Sequence, residues 1–343
     1  MFGRRVYGDA RSSGERQRWT DRCEHRDPRP DMRALVTGAN GFVGLHLVAH
    51  LASCGDEVIE SDTDIVDREA IIATVTEARP EVVYHLAAQA DVGGSWDSPV
   101  ETLRVNAEGT LNVCDAARLA GAQRVLGITS ADVYGHVDQT GPDGPPLNET
   151  TPLRPISPYA ASKAAAEAIY LQAGLGHGQH VVLARSFNHL GPGQSDRFVA
   201  SAIASRIASN ERNGNTTVSI GNLEARRDFT DVRDVVRAYR LLIEHGTPGD
   251  TYHVCSGSDR SIREIAEQLV GLAAFPMTLE PDPDLLRPVD LKVLCGDNTK
   301  IRARTGWEPQ IPIEATLHDL LEHWRRNPGG TETPQPRRDP QPH

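Results

Sequence analysis

The sequence predicts an α/β fold, a doubly wound parallel sheet with helices on both faces, followed by a smaller C-terminal domain. Short apolar strings rich in β-branched residues recur up to residue 185, and helical patterns separate them. Strands that alternate with helices of this length form parallel sheets. From about residue 191 the alternation becomes looser, which indicates that a second unit begins there.

The elements are predicted in chain order from the spacing of their apolar residues. Strands are predicted at 33–37, 57–60, 82–86, 124–129, 180–185, 217–220 and 251–255. The first helix starts near residue 45, and later helices are predicted at 67–78, 100–120, 157–173, 198–210, 231–245 and 261–272. A Ser-x-x-Glu capping box supports the start of the helix at 261.

Composition indicates a globular protein with an acidic balance of charge. The 343 residues are 38% hydrophobic and 24% charged, with a net charge of −11. Nucleic acid is not an expected partner, because it requires a basic face. No apolar run reaches the length of a membrane span, so we expect no membrane association. The five cysteines lack CxxC or metal-type spacing, which predicts reduced thiols, no metal site and a cytoplasmic location.

Both ends of the chain differ from the middle. Residues 1–31 are rich in Arg, polar and aperiodic, and residues 327–343 are rich in Pro, so both segments are predicted to be disordered. Arg4 and Arg5 suggest a twin-arginine export signal, but no apolar segment follows them, which argues against one. Met32 directly precedes the first strand and is a candidate start of the folded protein.

A glycine-rich turn follows the first strand. Gly38, Gly41 and Gly44 lie between a strand and a helix, which is the context that a dinucleotide site requires. Gly38 would let the chain turn, Gly41 would let the backbone approach a pyrophosphate, and Gly44 would let helix and strand pack closely. The pyrophosphate would lie at the positive end of the helix dipole. The alternative is a plain strand–turn–helix that binds nothing.

A tyrosine and a lysine share one face of the helix predicted at 157–173. Ser157 is its N-cap, and Tyr159 and Lys163 are four residues apart, so they project together. A neighbouring ammonium and an oxidised nicotinamide would lower the pKa of the phenol, which could then give a proton to a carbonyl oxygen as hydride arrives. On an arbitrary helix such a pair is more often solvated. Ser130 adds a hydroxyl at the sheet edge where ligands bind, unless it only caps a turn.

Together these motifs resemble the extended short-chain dehydrogenase/reductase family. The resemblance rests on TGxxGxxG, HLAAQ at 85–89, Asn106 in NAEGT, Ser130 before VYG, and YxxxK, and it runs from about 32 to 321. It implies a Rossmann-type NAD(P)-binding domain at 32–188, to which a segment of about 229–255 returns. The remainder of 189–326 would be the substrate-binding domain. NADH or NADPH would be the cofactor.

The resemblance also implies roles for single residues. Ser130 would polarise the substrate oxygen, Tyr159 would be the acid–base group, and Lys163 would tune it and hold the ribose. The implied cofactor-binding residues are Gly38, Asn40, Gly41, Phe42, Val43, Gly44, Asp64, Ile65, Leu86, Ala87, Ala88 and Asn106. Asp62 lies near the end of the second strand, where an acid can bond the adenosine ribose and repel a 2′-phosphate. We therefore expect NADH, with NADPH tolerated.

The second half of the chain resembles the nucleotide-sugar branch, most closely the GDP-4-keto-6-deoxy-D-mannose reductases and the GDP-mannose 4,6-dehydratases. The strings at 185–194, 221–239, 286–290 and 296–309 carry this resemblance. Arg227 and Arg287 are candidates for a diphosphate clamp, because a guanidinium matches phosphate oxygens bidentately. Their alternative is a surface ion pair. Asn188 could bond a sugar hydroxyl or phosphate, and the other predicted substrate contacts are Gln89, Ser130 and Asp132.

One position separates the two activities. The dehydratases have a Glu two residues after the Ser/Thr catalyst, and this chain has Asp132 there, which is one methylene shorter. Such a carboxylate reaches C5 of the sugar poorly, and proton transfer requires hydrogen-bond distance; it could instead cap the turn. The sequence therefore favours reduction at C4 of GDP-4-dehydro-6-deoxy-D-mannose. A lyase or epimerase on the same scaffold and a non-catalytic dinucleotide sensor stay open as alternatives.

Two predicted helices bear on the oligomeric state. The helices predicted at 100–120 and 157–173 are rich in Ala. Relatives commonly pair through the corresponding helices in a four-helix contact, so the resemblance implies a homodimer.

Overall fold

The computed structural model of the protein describes residues 32–136, 144–285 and 291–328. Its strands are β1 (Arg33–Thr37), β2 (Glu57–Ser61), β3 (Val82–His85), β4 (Arg124–Ser130), β5 (His180–Ser186), β6 (Asn188–Leu190), β7 (Thr217–Ile220), β8 (Arg226–Asp231), β9 (Thr251–Val254), β10 (Asp259–Ser261), β11 (Thr278–Pro281) and β12 (Val293–Leu294). Its helices are α1 (Phe42–Ser53), α2 (Arg68–Ala78), α3 (Pro99–Leu103), α4 (Gly109–Ala120), α5 (Pro158–His177), α6 (Val199–Asn213), α7 (Val232–His245), α8 (Ile262–Gly271), α9 (Thr299–Thr305) and α10 (Ile313–Arg326).

The central element is a six-stranded sheet with the order β2-β1-β3-β4-β5-β9. All five strand pairs are parallel, so the predicted doubly wound parallel sheet is confirmed. The chain runs outward from β1 to β2 and then crosses to the other side of β1 to form β3. In open α/β sheets, ligands bind at the carboxyl edge beside such a reversal.

Alternation along the strands gives the sheet two apolar faces. In β1, Ala34 and Val36 face the core formed with α1 and α7, whereas Leu35 faces the core formed with α2, α4 and α5. Burial on both faces explains why these strands read as continuous apolar strings. Two helices that flank the sheet start at side-chain caps: Asp67 accepts from Ala70 N before α2, and Ser157 accepts from Ala160 N before α5.

A second core lies outside the sheet. It is formed by apolar side chains of α6, α8 and α10 with β7, including Ile203, Ile207, Ile265, Leu317 and Trp324. The chain crosses between the two cores more than once, since α7 packs on the six-stranded sheet and β9 is one of its strands. Ile301 and Trp307 also pack in the sheet core. Both residues follow the predicted returning segment of about 229–255 in the chain.

The helix predicted at 100–120 is divided. Its first part is α3 and its second part is α4, and a π-helical turn, Arg104–Glu108, joins them. A π turn inserts one extra residue into the helical ladder and is frequently found at functional sites. The side chain placed by this turn is the buried Asn106.

Within 32–136, 144–285 and 291–328, no helix combines the length and the apolar character that a bilayer crossing requires. Cys114, Cys255 and Cys295 are free thiols. The predicted disordered segment 1–31 lies outside the described residues, as does all but the first two residues of 327–343.

The packing of α1 on β1 predicts the effect of one substitution. A Cβ at Gly44 would lie 2.6 Å from the carbonyl oxygen of Ala39 and closer still to that of Gly38. Backbone cannot yield cheaply, so we expect Gly44→Ala to reduce the free energy of unfolding by about 3 kcal/mol. Denaturant titration followed by circular dichroism measures this change.

Gly271→Ala is the matched control. Gly271 ends α8, and a Cβ there meets nothing within 4 Å. This substitution should leave stability unchanged or raise it by up to about 1 kcal/mol. Equal stability of the Gly44→Ala variant and the wild type would contradict the close-packing argument.

Candidate active site

A cleft of about 400 Å³ lies at the carboxyl edge of the six-stranded sheet. Its walls come from the turn after β1, the loop after β3, the ends of β4 and β5, and the start of α5. The structure brings many of the predicted residues together in this cleft: Gly38, Gly41, Phe42, Val43, Gly44, Leu86, Ala88, Ser130, Asp132, Tyr159, Lys163, Asn188 and Arg227.

The glycine turn has the geometry of an anion site. Gly38 has a φ of +67° and its N–H donates to the Ser61 carbonyl at 2.9 Å. Gly41 is the N-cap of α1, and it offers no side chain to the first-turn N–H groups, which have no intrahelical acceptor. No acidic residue lies in that first turn. These features fit the pyrophosphate of a dinucleotide.

Asp62 and Asn40 interact with each other. The backbone N–H of Asn40 donates to Oδ1 of Asp62 at 3.2 Å, and the Asn40 amide donates to Oδ2. Both residues are exposed, and neither lines the cleft. Asp62 therefore braces the glycine turn from its outer side.

Four further predicted cofactor or substrate residues lie outside the cleft wall. Ile65 is buried and packs against Gly109 at the start of α4, while Asp64 accepts from Val66 N at 2.9 Å. The N–H of Ala87 donates to Oγ1 of Thr37 at 3.2 Å. The amide of Gln89 donates to the carbonyl of Asp91 at 2.9 Å. Arg287 lies outside the described residues.

Ser130, Asp132 and Tyr159 lie together at the end of β4. Oγ of Ser130 donates to Oδ2 of Asp132 at 3.1 Å, and the Tyr159 hydroxyl adjoins Ser130. Burial and the nearby Asp132 carboxylate raise the pKa of Tyr159, and the polar Ser130 side chain opposes this rise. The phenol is therefore protonated at neutral pH, which is the form that a proton donor requires.

Lys163 lies one helical turn beyond Tyr159. Its Nζ donates to the Ile128 carbonyl at 3.1 Å, and its side chain is buried at the cleft wall. Burial lowers the pKa of Lys163 to about 8, and Glu167 opposes this shift. The amine therefore carries a positive charge at neutral pH, next to the phenol.

Asn106 joins three segments behind these groups. Its Oδ1 accepts from the N–H of Gln89 at 2.8 Å, and its Nδ2 donates to the Gln89 carbonyl at 3.0 Å and to Oγ of Ser162 at 2.9 Å. Ser162 directly precedes Lys163 in α5. The π turn therefore holds the loop after β3 against α5, and Asn106 stands behind the cleft wall, not in it.

The predicted substrate residues Asn188 and Arg227 approach the cleft from the second half of the chain. Asn188 is exposed, and Arg227 is half-buried. Nη1 of Arg227 donates to the carbonyls of Arg226 at 2.8 Å and Leu291 at 2.7 Å. These carbonyls hold the guanidinium at the cleft wall.

The cleft also contains residues that sequence reasoning missed. Gln194 is 4% exposed, and its Oε1 has no hydrogen-bond partner among the described residues. Tyr239 reaches the cleft from α7, and its hydroxyl shares a hydrogen bond of 2.7 Å with Ser186. Gln194 lies in the string at 185–194, and its signal was a polar side chain directly after a Gly-Pro-Gly turn.

Within the described ranges, no group of three or more His, Cys, Asp or Glu side chains is arranged to hold a metal ion. The charged groups of the cleft are Lys163, Asp132 and the arginines Arg197 and Arg227, together with Asp91. The chemistry that this site offers is therefore proton transfer and the binding of anions.

Comparison with known proteins identifies relatives of this chain. A family model described as GDP-mannose 4,6 dehydratase matches residues 61–320. The chain is 36% identical over 298 residues to a Pseudomonas aeruginosa protein named GDP-6-deoxy-D-mannose reductase, covering 85% of this chain and 97% of that protein. The likeness therefore extends over both halves of the chain.

Two solved structures share the fold. A structure described as RMD from Pseudomonas aeruginosa complexed with NADPH aligns with a TM-score of 0.79 at 36% identity, covering 86% of this chain and 99% of that one. A UDP-glucose 4-epimerase from Thermus thermophilus, in a complex with NAD, aligns with a TM-score of 0.78 at 30% identity, covering 86% and 100%. Both neighbours thus align over nearly their whole length.

Proposed function

We propose that this chain, which belongs to the GDP-mannose 4,6 dehydratase family, reduces the C4 keto group of GDP-4-dehydro-6-deoxy-D-mannose with NAD(P)H. The product is a GDP-6-deoxyhexose such as GDP-D-rhamnose. One observation carries the proposal: the protonated phenol of Tyr159 and the Ser130 hydroxyl line the same cleft, with the Lys163 ammonium one helical turn away. The relative named GDP-6-deoxy-D-mannose reductase supports the choice of substrate.

NADH or NADPH supplies the hydride when it is bound. The first-turn N–H groups of α1 would hold the pyrophosphate, and Lys163 would hold the ribose beside the nicotinamide. The neighbours in complexes with NADPH and NAD support this class of cofactor. Asp62 faces the outer side of the glycine turn with Asn40, so we propose that either reduced cofactor serves.

The chain's own residues handle the proton. Tyr159 gives its proton to the C4 oxygen as hydride reaches the carbon, and Ser130 orients that oxygen. The Lys163 charge then stabilises the phenolate that remains. Asn188, Arg227 and Arg287 are the proposed contacts for the sugar diphosphate, since guanidinium groups and amides are donors that match phosphate and hydroxyl oxygens.

The position of Asp132 supports a reductase over a dehydratase. Its backbone N–H donates to Oγ of Ser130 at 3.2 Å, and its carboxylate accepts from the same hydroxyl. These two bonds cap the turn after β4 and hold the carboxylate against Ser130. A base that removes the C5 proton must instead reach toward the sugar.

An assay of NAD(P)H oxidation tests the proposal. The 4-keto sugar nucleotide is made in situ by a separate dehydratase, and the GDP-, dTDP- and UDP-linked forms are compared. We expect rapid oxidation with the GDP form alone. GDP-mannose offered without reductant is the control, and a 4-keto product in that control would assign the chain to the dehydratases instead.

Tyr159→Phe should lower kcat by about a thousand-fold, because it removes the proton donor. The affinity for NAD(P)H, measured by fluorescence titration, should stay within a few-fold. Tyr170→Phe is the matched control, since Tyr170 lies on the same helix but packs in the sheet core. Parallel loss of turnover and cofactor binding in Tyr159→Phe would mean that the phenol is structural.

We also propose that the protein pairs with a second copy through α3, α4 and α5. These helices carry large apolar side chains that are exposed in the single chain: Val100 is 79% and Leu175 86% accessible, and Leu103 and Leu111 are exposed as well. Several exposed apolar side chains on neighbouring helices favour an interface.

The oligomeric state tests this pairing. Sedimentation equilibrium should give twice the chain mass for the wild type, and the double variant Val100→Glu/Leu175→Glu should sediment as a monomer. Leu272→Glu is the control, because Leu272 is exposed at the end of α8, away from these helices. A monomeric wild type would exclude the pairing.

A further inference from the structure

We infer that the buried Glu167–Arg185 ion pair is a positioning element for Lys163. In this view Arg185 holds the Glu167 carboxylate away from the Lys163 ammonium, which leaves the ammonium directed at the cleft. The ion pair also sets the charge that Lys163 experiences. The inference rests on the function proposed above, in which Lys163 serves the phenol and the cofactor.

The spacing on α5 creates a competition. Tyr159, Lys163 and Glu167 follow one another at intervals of four residues, so they form one row along the helix. Opposite charges at this spacing normally pair with each other. Here the Lys163 Nζ donates to the Ile128 carbonyl at 3.1 Å, and Glu167 faces a different partner.

That partner is Arg185, from the end of β5. Its Nε donates to Oε1 of Glu167 at 2.9 Å, and its Nη2 donates to Oε2 at 2.6 Å. Each side chain is 5% exposed. The bidentate fork occupies both carboxylate oxygens and fixes their direction. Both Glu167 oxygens are therefore directed at Arg185 and not at Lys163.

Arg185 is itself held in place. Its Nη1 donates to the hydroxyl of Tyr134, and its Cζ lies 4.8 Å from the centre of the Tyr134 ring. The Tyr134 hydroxyl in turn donates to the Asn148 carbonyl at 2.9 Å. The guanidinium is thus anchored on two sides, and it cannot follow the carboxylate toward Lys163.

A buried ion pair is weak evidence for stability, because the cost of desolvation offsets much of the attraction. Because Glu167 lies one helical turn beyond Lys163, the charges of the ion pair act on the Lys163 ammonium. Burial already lowers the pKa of Lys163 to about 8, so a nearby charge decides how much of the amine is protonated above neutral pH. Neutralised by Arg185, the Glu167 carboxylate exerts only part of its charge.

The other titratable groups around Lys163 are accounted for. His85 faces it from β3 and is neutral, because burial lowers the pKa of its imidazole to about 3. Its Nδ1 is hydrogen-bonded with Oγ1 of Thr37 at 2.8 Å. Glu167 raises the pKa of Lys163, and Arg185 is paired with that carboxylate. Asp132 after β4 and Tyr239 on α7 raise the pKa of Tyr159, one helical turn from Lys163.

This arrangement determines whether each single substitution raises or lowers the pKa of Lys163. Removal of the Glu167 charge leaves the Arg185 cation uncompensated, and the pKa of Lys163 falls. Removal of the Arg185 charge frees the Glu167 carboxylate, which turns toward the ammonium and raises that pKa. Removal of both charges takes away the two opposing effects together, so the pKa of Lys163 then lies between those of the two single variants.

Amine labelling measures these shifts without any need for turnover. The chain contains only three lysines, Lys163, Lys292 and Lys300, so acetylation by acetic anhydride can be assigned peptide by peptide. The midpoint of Lys163 labelling against pH should fall by about one pH unit in Glu167→Gln and rise by about one in Arg185→Met. The double variant should have a midpoint between those of the two single variants. The exposed Lys292 is the internal reference and should not move.

Three outcomes decide the inference. Opposite shifts with an intermediate midpoint in the double variant support it, and the alkaline limb of the pH profile of kcat/KM should move in the same directions. Unchanged Lys163 midpoints in an active reductase would overturn it, as they would for a merely structural ion pair. Opposite shifts in a protein without reductase activity would support the positioning role and reject the proposed function instead.

Glu167→Gln keeps the inference testable if Arg185→Met fails to fold. The glutamine has the same size and retains one oxygen for the Arg185 fork. Its Lys163 midpoint alone is then decisive: a fall supports the positioning role, and an unchanged midpoint excludes it. Circular dichroism verifies that each variant is folded before labelling.

Discussion

The site depends on the side chain of Asn106, which closes a bridge between three backbone segments. It pairs with both backbone groups of Gln89 and donates to Ser162, so the loop after β3, the π turn and α5 hold one another in place. The amide is buried, and each of its bonds would be expensive to lose. Tyr159 and Lys163 lie on the helix that this bridge fixes, and their direction toward the cleft follows from it.

Buried carboxylates likewise hold separate segments together, here between the two cores. Oδ2 of Asp234 on α7 accepts from the N–H groups of Gln310 and Ile311, each at 2.8 Å. Asp231 accepts from the hydroxyl of Thr316 on α10 at 2.7 Å. These bonds fasten the segment before α10, and α10 itself, to a helix of the sheet layer. The cleft can therefore have walls from both halves of the chain at a defined separation.

Much of this architecture could be predicted from local sequence. The strands of the sheet are continuous apolar strings because both faces are covered, and the resemblance to extended short-chain dehydrogenases is confirmed by the family model. Short strands such as β8, with the sequence RRDFTD, lack such a string and were missed. The π turn was also missed, because the helical periodicity at 100–120 continues through it. Tyr239 reaches the cleft only through long-range packing, which no local spacing reveals.

The register of the outermost strand has a consequence for how the protein is made. Leu183 of β5 pairs with Thr251 of β9, and more than sixty residues separate them in the chain. While the intervening residues are still being synthesised, β5 is an edge strand of the sheet, and its amides on that side are unpaired. Domains generally begin to fold in the order in which they emerge. Any sheet that forms before β9 has been synthesised therefore has an open edge at β5, which is closed only when β9 pairs with it.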